Sequence, residues 1–401
     1  MCDASASPNS CYNAFFGGAA GYWNTTGHGN SFFGSTAGYS NNTGSYNAFF
    51  GGSAGENNTT GDSNAFFGYK AGYWNSEGDS NAFFGVAAGT SNSTGHDNAF
   101  FGRSAGYFNT TGNENTFIGR SAGHYNTTGV SNAFFGHGTG YNNTTGGSNA
   151  AFGSYSGFSN TTGASNAFFG QAAGYSNTTG LENLFFGTFS GYSNTLENGN
   201  TFVGAWSDLD PGPDPGTFPV TNATAIGHRA YVSKSNSLVL GSINGVNGAT
   251  ASTQVGIGAT APQRLLHIAG SNAVFRMDRS TNSAAFMIVR TTGSGSVLKN
   301  FVVGVDASGV NQGEFVINDL GTAVGGPGQR RLTINNDGDV IINGDLITNH
   351  NPSQRPRRVI SRPRRLMLLR ELHEYVETQK HLPEILSAEE IQKQGEINVT
   401  E

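Results

Sequence analysis

Charge is scarce in this chain: 21 Lys and Arg and 27 Asp and Glu make up only 12% of its 401 residues. The shortage is sharpest from residue 13 to residue 206, where Lys70, Arg103 and Arg120 are the only basic side chains. A surface that poor in cations offers no footprint for a nucleic-acid backbone. Cysteine is nearly missing too. Cys2 and Cys11 stand alone near the start, which excludes a disulfide-built scaffold and leaves free thiols, one local bridge or a staple between chains, with no structural role the expectation. No apolar run approaches the length of a membrane span. Met1 is not followed by a basic region and an apolar stretch, so no signal peptide is visible. Catalytic motifs are also lacking: there is no phosphate loop or H-E-x-x-H. His28 and His96 share one repeat position while His124 and His137 fall at two others, so the histidines form no metal-spaced cluster. Neither an enzyme nor a cofactor or metal is expected. A carboxylate pair for glycoside cleavage could be assembled between subunits without a motif, and residues 264–347 are the only region suited to it.

What the chain has in excess is glycine, 60 residues, set in a strict repeat. Asn stands at 13, 30, 47, 64, 81, 98, 115, 132, 149, 166, 183 and 200, giving eleven full 17-residue units and half of a twelfth without insertion or deletion. The consensus is N-A-F-F-G-x-x-A-G-Y-x-N-T-T-G-x-x. The segments between glycines are too short for a helix, because Gly inside one costs roughly 1 kcal/mol relative to Ala. They suit a coil of two short strands and two turns. The first strand is residues 14–16, ended by Gly17; the second is residues 20–23; N-T-T-G at 24–27 turns the chain back. Each coil then lies about 4.8 Å from the next, which makes the fold class a mainly β parallel β-roll or β-solenoid.

The paired aromatics carry the next step. Successive strand residues point to opposite faces, so Phe15, Phe32, Phe49, Phe66, Phe83 and Phe100 form one column. Phe16, Phe33, Phe50, Phe67, Phe84 and Phe101 form another on the opposite face. If one column fills the coil interior, the other must be covered from outside, since a dozen wet rings exceed the apolar patch of an ordinary monomer. At roughly 25 cal/mol per Å² and roughly 100 Å² per ring, the wet column forfeits tens of kcal/mol. The expected partner is the chain itself, in a parallel bundle.

Asn24, Asn41, Asn58 and their equivalents hold the twelfth place of every full unit, where stacked side-chain amides can bond up the ladder. Nine of the eleven are followed by x-Thr/Ser, which makes Asn24, Asn109, Asn126, Asn143, Asn160 and Asn177 candidate glycan acceptors. The competing reading, and the favoured one, is that Asn, Thr and Gly are simply good turn residues. Ice binding is disfavoured because the Thr pairs sit beside a turn rather than along a strand face.

The rest of the chain divides further. Residues 1–12 are a short polar segment. Residues 207–262 open with a Pro-rich stretch at 208–219, a cap or stiff connector, and continue as a neck of shorter units at 224–227, 238–241 and 255–258. Residues 263–348 read as a β-rich domain with strands at 265–268, 273–277, 285–290, 298–305, 314–317, 331–334 and 339–342. Asn336-Asp337-Gly338 is a hairpin turn signal, preferred over a metal reading of Asp337 and Asp339. Residues 349–363 form a basic linker, read as a solvated connector in preference to an acidic or phosphate contact. Residues 364–401 form a short helical tail, with helices at 364–380 and 388–394.

The units N-A-F-F-G-x-x-A-G-Y-x-N-T-T-G resemble repeats of bacterial and phage tail-fibre-like proteins and, more distantly, the left-handed β-roll heads of trimeric autotransporter adhesins. Residues 222–227, 236–245, 254–262 and 265–268 are similar to the neck that precedes the distal domain of such fibres, and residues 371–398 to their tails. The resemblance implies a fibrous homotrimer on an extracellular appendage or a virion or particle surface. It also implies a baseplate of a phage or secretion particle at one end and a cell-surface glycan or protein as target at the other. The expected role is a structural shaft that presents an attachment surface. An end-to-end polymerised filament, or a glycan-binding or glycan-cleaving fibre, are the alternatives.

Overall fold

The computed structural model describes residues 12–210, 219–271, 286–292, 296–305, 313–322, 328–343 and 375–378. The chain forms two compact units, residues 1–273 and 274–401.

In the first unit each A-F-F segment is a three-residue strand, from Ala14–Phe16 and Ser31–Phe33 through to Leu184–Phe186 and Thr201–Val203. Each pairs in parallel with the next at a shift of one unit, Phe32 against Phe49 and Phe49 against Phe66. The sheet runs on past the Pro-rich stretch: Thr201 pairs with Thr224 and Thr224 with Leu238, making fourteen parallel strands in sequence order. The neck units at 224 and 238 therefore belong to the same ladder. Leu266–Ile268, expected in the later domain, instead pairs in parallel with Val255–Ile257 inside the first unit.

The second expected strand is not a strand. Residues 20–23 are turn, because Ala19 and Gly21 both adopt left-handed backbone, with φ of 58° and 60°. Alternating hand curls the chain inward, where a strand would carry it on. The N–H groups still reach the next coil, Gly21 to Ala37 O at 3.0 Å and Trp23 to Tyr39 O at 2.9 Å. Thus the ladder continues around the turn without extended geometry.

Two glycine columns are required by contact. A Cβ on Gly85 (φ 142°) would lie 2.6 Å from the carbonyl oxygen of Gly102 in the next coil, and one on Gly89 would lie 2.4 Å from the ring of Phe83. No side chain fits between backbones this close.

The core is the first-Phe column, with Ala37, Ala54, Ala71 and their equivalents filling the space beside it. From Phe32 to Phe117 every ring of that column is fully buried and stacks on the next at 4.8 Å. The opposite-face expectation holds. Phe16 is 73% exposed, Phe33 39% and Phe101 38%, while Phe50, Phe67 and Phe84 are half-buried.

The second unit holds a five-stranded antiparallel sheet of Phe286–Thr291, Val297–Val305, Phe315–Gly321, Gln329–Ile334 and Val340–Ile342, in sequence order. The Asn336-Asp337-Gly338 turn joins the last two strands, and Asn335 Oδ1 accepts the N–H groups of Asp337 at 3.1 Å and Asp339 at 2.7 Å. The segment at 273–277, the linker at 349–363 and the helix at 388–394 lie outside the described residues. Of the helix expected at 364–380, residues 375–378 are described and helical.

Candidate functional site

The long side of the first unit is built of residue columns, each presenting one chemistry at one coil spacing. The outer Phe column is the apolar one. Phe33, Phe50, Phe67, Phe84 and Phe101 stack at 4.6–4.8 Å; Ile118 follows in place of a ring, and Phe135, Phe152 and Phe169 resume the stack at 4.6 and 5.0 Å.

Two Asn columns run inside the turns. At the twelfth position Asn41 Nδ2 donates to Asn24 Oδ1 at 2.7 Å, and Asn58 Nδ2 to Asn41 Oδ1 at 2.7 Å; each also donates to the Gly carbonyl three residues on. At the first position, a role missed in the sequence, Asn47 Oδ1 accepts the N–H of Asn64 at 2.9 Å while Asn47 Nδ2 donates to Gly61 O at 2.8 Å. Its signal was there in the unbroken run of Asn that frames every unit. These amides are buried and bonded, which spares the coil the cost of desolvated polar groups.

The same geometry bears on the candidate glycan acceptors. Asn109, Asn126, Asn143 and Asn177 are fully buried and Asn160 nearly so, and each Nδ2 donates both to a neighbouring Asn and to a Gly carbonyl. Asn24, in the first coil, is half-buried and donates to Gly27 O at 2.9 Å. A sugar on Asn109, Asn126, Asn143, Asn160 or Asn177 would displace a ladder bond, whereas Asn24 Nδ2 bonds only within its own turn. Bonded in this way the amides serve as turn residues, the reading the sequence favoured.

A carboxylate cap closes the turn side of the regular coils. In the body of the stack, Thr178 N donates to Thr195 O at 2.8 Å and Ser159 N to Tyr175 O at 3.0 Å, each one coil on. At the end of the eleventh unit and in the partial twelfth, two acids accept N–H groups of the last turn. Glu197, where Gly stands in the other ten units, accepts the N–H groups of Thr195 at 2.5 Å and Leu196 at 2.9 Å through Oε2. Asp208 accepts the N–H groups of Ser193 at 3.1 Å and Leu209 at 2.9 Å. Burial pushes the Asp208 carboxyl up to about 6, against the pull of those hydrogen bonds.

A fourth feature is aromatic. Tyr107, His124, Tyr141, Phe158, Tyr175 and Tyr192 stack at 4.9–5.3 Å along the tenth position. Burial in that stack lowers the His124 pKa, partly offset by its bond to Ser104 O. Beside it a groove of about 700 Å³ runs over the threonines of the thirteenth position.

In the second unit Asp319, 7% exposed, meets Lys299 at 2.6 Å and Arg331 at 3.0 Å. The Lys299 hydrogen bond is the chief cause holding its carboxyl down to about 2. Among the described residues no group of three or more His, Cys, Asp or Glu could hold a metal, and no helix is long and apolar enough to cross a membrane. No known protein family, curated protein or solved structure matches this chain.

Proposed function

We propose that the chain is the subunit of a fibre, in which the coil stack is a stiff shaft and three parallel copies bundle through their outer Phe columns. The observation that carries this reading is the pairing of one fully buried ring column with one left half-exposed along the same strands. Such a stripe has the length of the stack, and identical parallel chains present like columns to one another about a common axis. Thirteen strand spacings make the stack about 60 Å long. A shaft of that kind holds several copies of a terminal surface at fixed reach, so that weak contacts act together. The role is mechanical, and the charge-poor coils favour it over catalysis. An appendage or particle surface is the setting that fits, with a cell-surface glycan or protein as target and a particle base as anchor.

A second reading follows from the first coil. Among the described residues Ala14–Phe16 is exposed throughout and pairs on one side with Ser31–Phe33, so it is a strand edge that could seat another stack end to end. Electron microscopy of the purified protein with sedimentation of the same sample separates the two. Uniform rods of three-chain mass with three-fold cross-section support the fibre. Long polymers support the filament, and a stable monomer at high concentration overturns both.

A further inference from the structure

The groove beside the aromatic stack is asymmetric along its length. At the eleventh position Phe108 and Tyr125 stack at 5.2 Å with planes 4° apart, and they are 37% and 41% exposed. The third ring of that stack is missing. Asn142 stands in its place and Ser159 in the next, and the step opens the groove beyond the Tyr125 ring. The floor is a hydroxyl row: Thr127 Oγ1 donates to Thr144 O, Thr144 Oγ1 to Thr161 O and Thr161 Oγ1 to Thr178 O, all at 3.0 Å. Each hydroxyl proton is thereby used between one coil and the next, and each oxygen keeps lone pairs for an outside donor. Among the described residues the Tyr125 phenol is the one titratable group lining the groove. None of the outer Phe column lines it.

We propose that this step is a binding subsite for an uncharged carbohydrate chain, seated with a C–H face on the Tyr125 ring and its hydroxyls directed to the threonine row and Asn142. Charge complementarity selects the class. A phosphate, sulfate or uronate finds no cation here, and an ammonium finds no carboxylate. A neutral sugar brings the two things the groove matches: hydroxyl donors for a row of acceptors, and an apolar ring face for an aromatic wall. The inference goes beyond the shaft reading, because it places a contact surface on the side of the coils and not at an end.

The test is affinity electrophoresis of the full chain in native gels containing hydroxyethyl cellulose, soluble starch or dextran, with alginate as the anionic control. Retardation by at least one neutral polymer and none by alginate is expected. Tyr125→Ala removes the wall, and Asn142→Tyr adds the missing third ring and fills the step; both should weaken retardation by about tenfold or more. Tyr125→Phe, which keeps the ring, should retain it. Circular dichroism checks that each variant folds. The proposal is overturned if no neutral polymer retards the protein, if alginate alone does, or if Asn142→Tyr binds as well as the parent. It is equally overturned if Asn142→Tyr changes the sedimenting mass, since the groove would then be a contact between chains. Microscopy of rods is unaffected by these outcomes, so failure here leaves the shaft reading standing.

Discussion

Replacing Phe83 by Ala probes the core on which the coil stack depends. The ring is fully buried and sandwiched between Phe66 and Phe100 at 4.8 Å on each side. Those neighbours cannot close the gap, because coil spacing is set by the backbone ladder and not by the rings. The loss should therefore reach about 3–5 kcal/mol, the range for a Phe deleted from a core that relaxes poorly. The native column contains one such deletion, Ala151, where the following coil compensates: Phe168 comes within 3.0 Å of the place a Cβ on Gly157 would occupy. Adjustment of that kind sets the lower bound. Phe84→Ala is the control, since its ring stacks on Phe67 at 4.6 Å and Phe101 at 4.8 Å but is half-buried in one chain. In an isolated chain it should cost roughly half as much; in a bundle it should approach the inner value. Urea unfolding followed by circular dichroism, at high and low protein concentration, reads both. A loss below about 1 kcal/mol for Phe83→Ala, or a larger loss at Phe84 than at Phe83 when dilute, would refute the assignment of faces.

The amide ladder gives a second prediction. Asn109 donates to Asn92 Oδ1 at 2.7 Å and Gly112 O at 3.0 Å and accepts from Asn126 at 2.7 Å, so Asn109→Ala should cost about 2–3 kcal/mol, and Asn109→Asp more, because it sets a buried charge against two acceptors. The same urea midpoints rank the two. Asp208 gives the pH dependence. Its folded pKa of about 6 lies above the ordinary 3.8, so its contribution is complete at low pH and is lost as pH rises through 6. The protection of the Ser193 and Leu209 amides, taken relative to the intrinsic exchange rate at each pH, should fall between about pH 4 and pH 7 by up to about 3 kcal/mol, and Asp208→Asn should flatten that profile. Left-handed Ala87 (φ 58°) gives the last one. Ala87→Gly should raise the thermal midpoint slightly, relief of roughly 1 kcal/mol being partly offset by a looser unfolded chain, whereas Ala87→Val should lower it.

How far the sequence was legible varied with the kind of signal. The A-F-F strand, its register and the opposite facing of the two Phe followed from a repeat with no insertion and from the two-residue period of a strand. The turn at residues 20–23 did not, because its left-handed partner position holds Ala, Thr, Ser, Lys, Tyr and Phe in different coils, and none of these announces positive φ. Glu197 and Asp208 were hidden for a different reason. They replace backbone acceptors, and only the packed coil reveals which N–H groups need one. The groove at Tyr125 was invisible because it arises from a change between units, at a position the consensus leaves open.

Coil size has its own consequence. Since every regular coil passes its hydrogen bonds to the next at an offset of 17 residues, duplicating or deleting one whole block moves the end of the stack by about 4.8 Å and leaves every column aligned. Reach then becomes a quantity that recombination between neighbouring DNA repeats can lengthen or shorten in steps, with no contact redesigned. The steps from Thr201 to Thr224 and from Thr224 to Leu238 show that other sizes are absorbed only where the motif itself has ended.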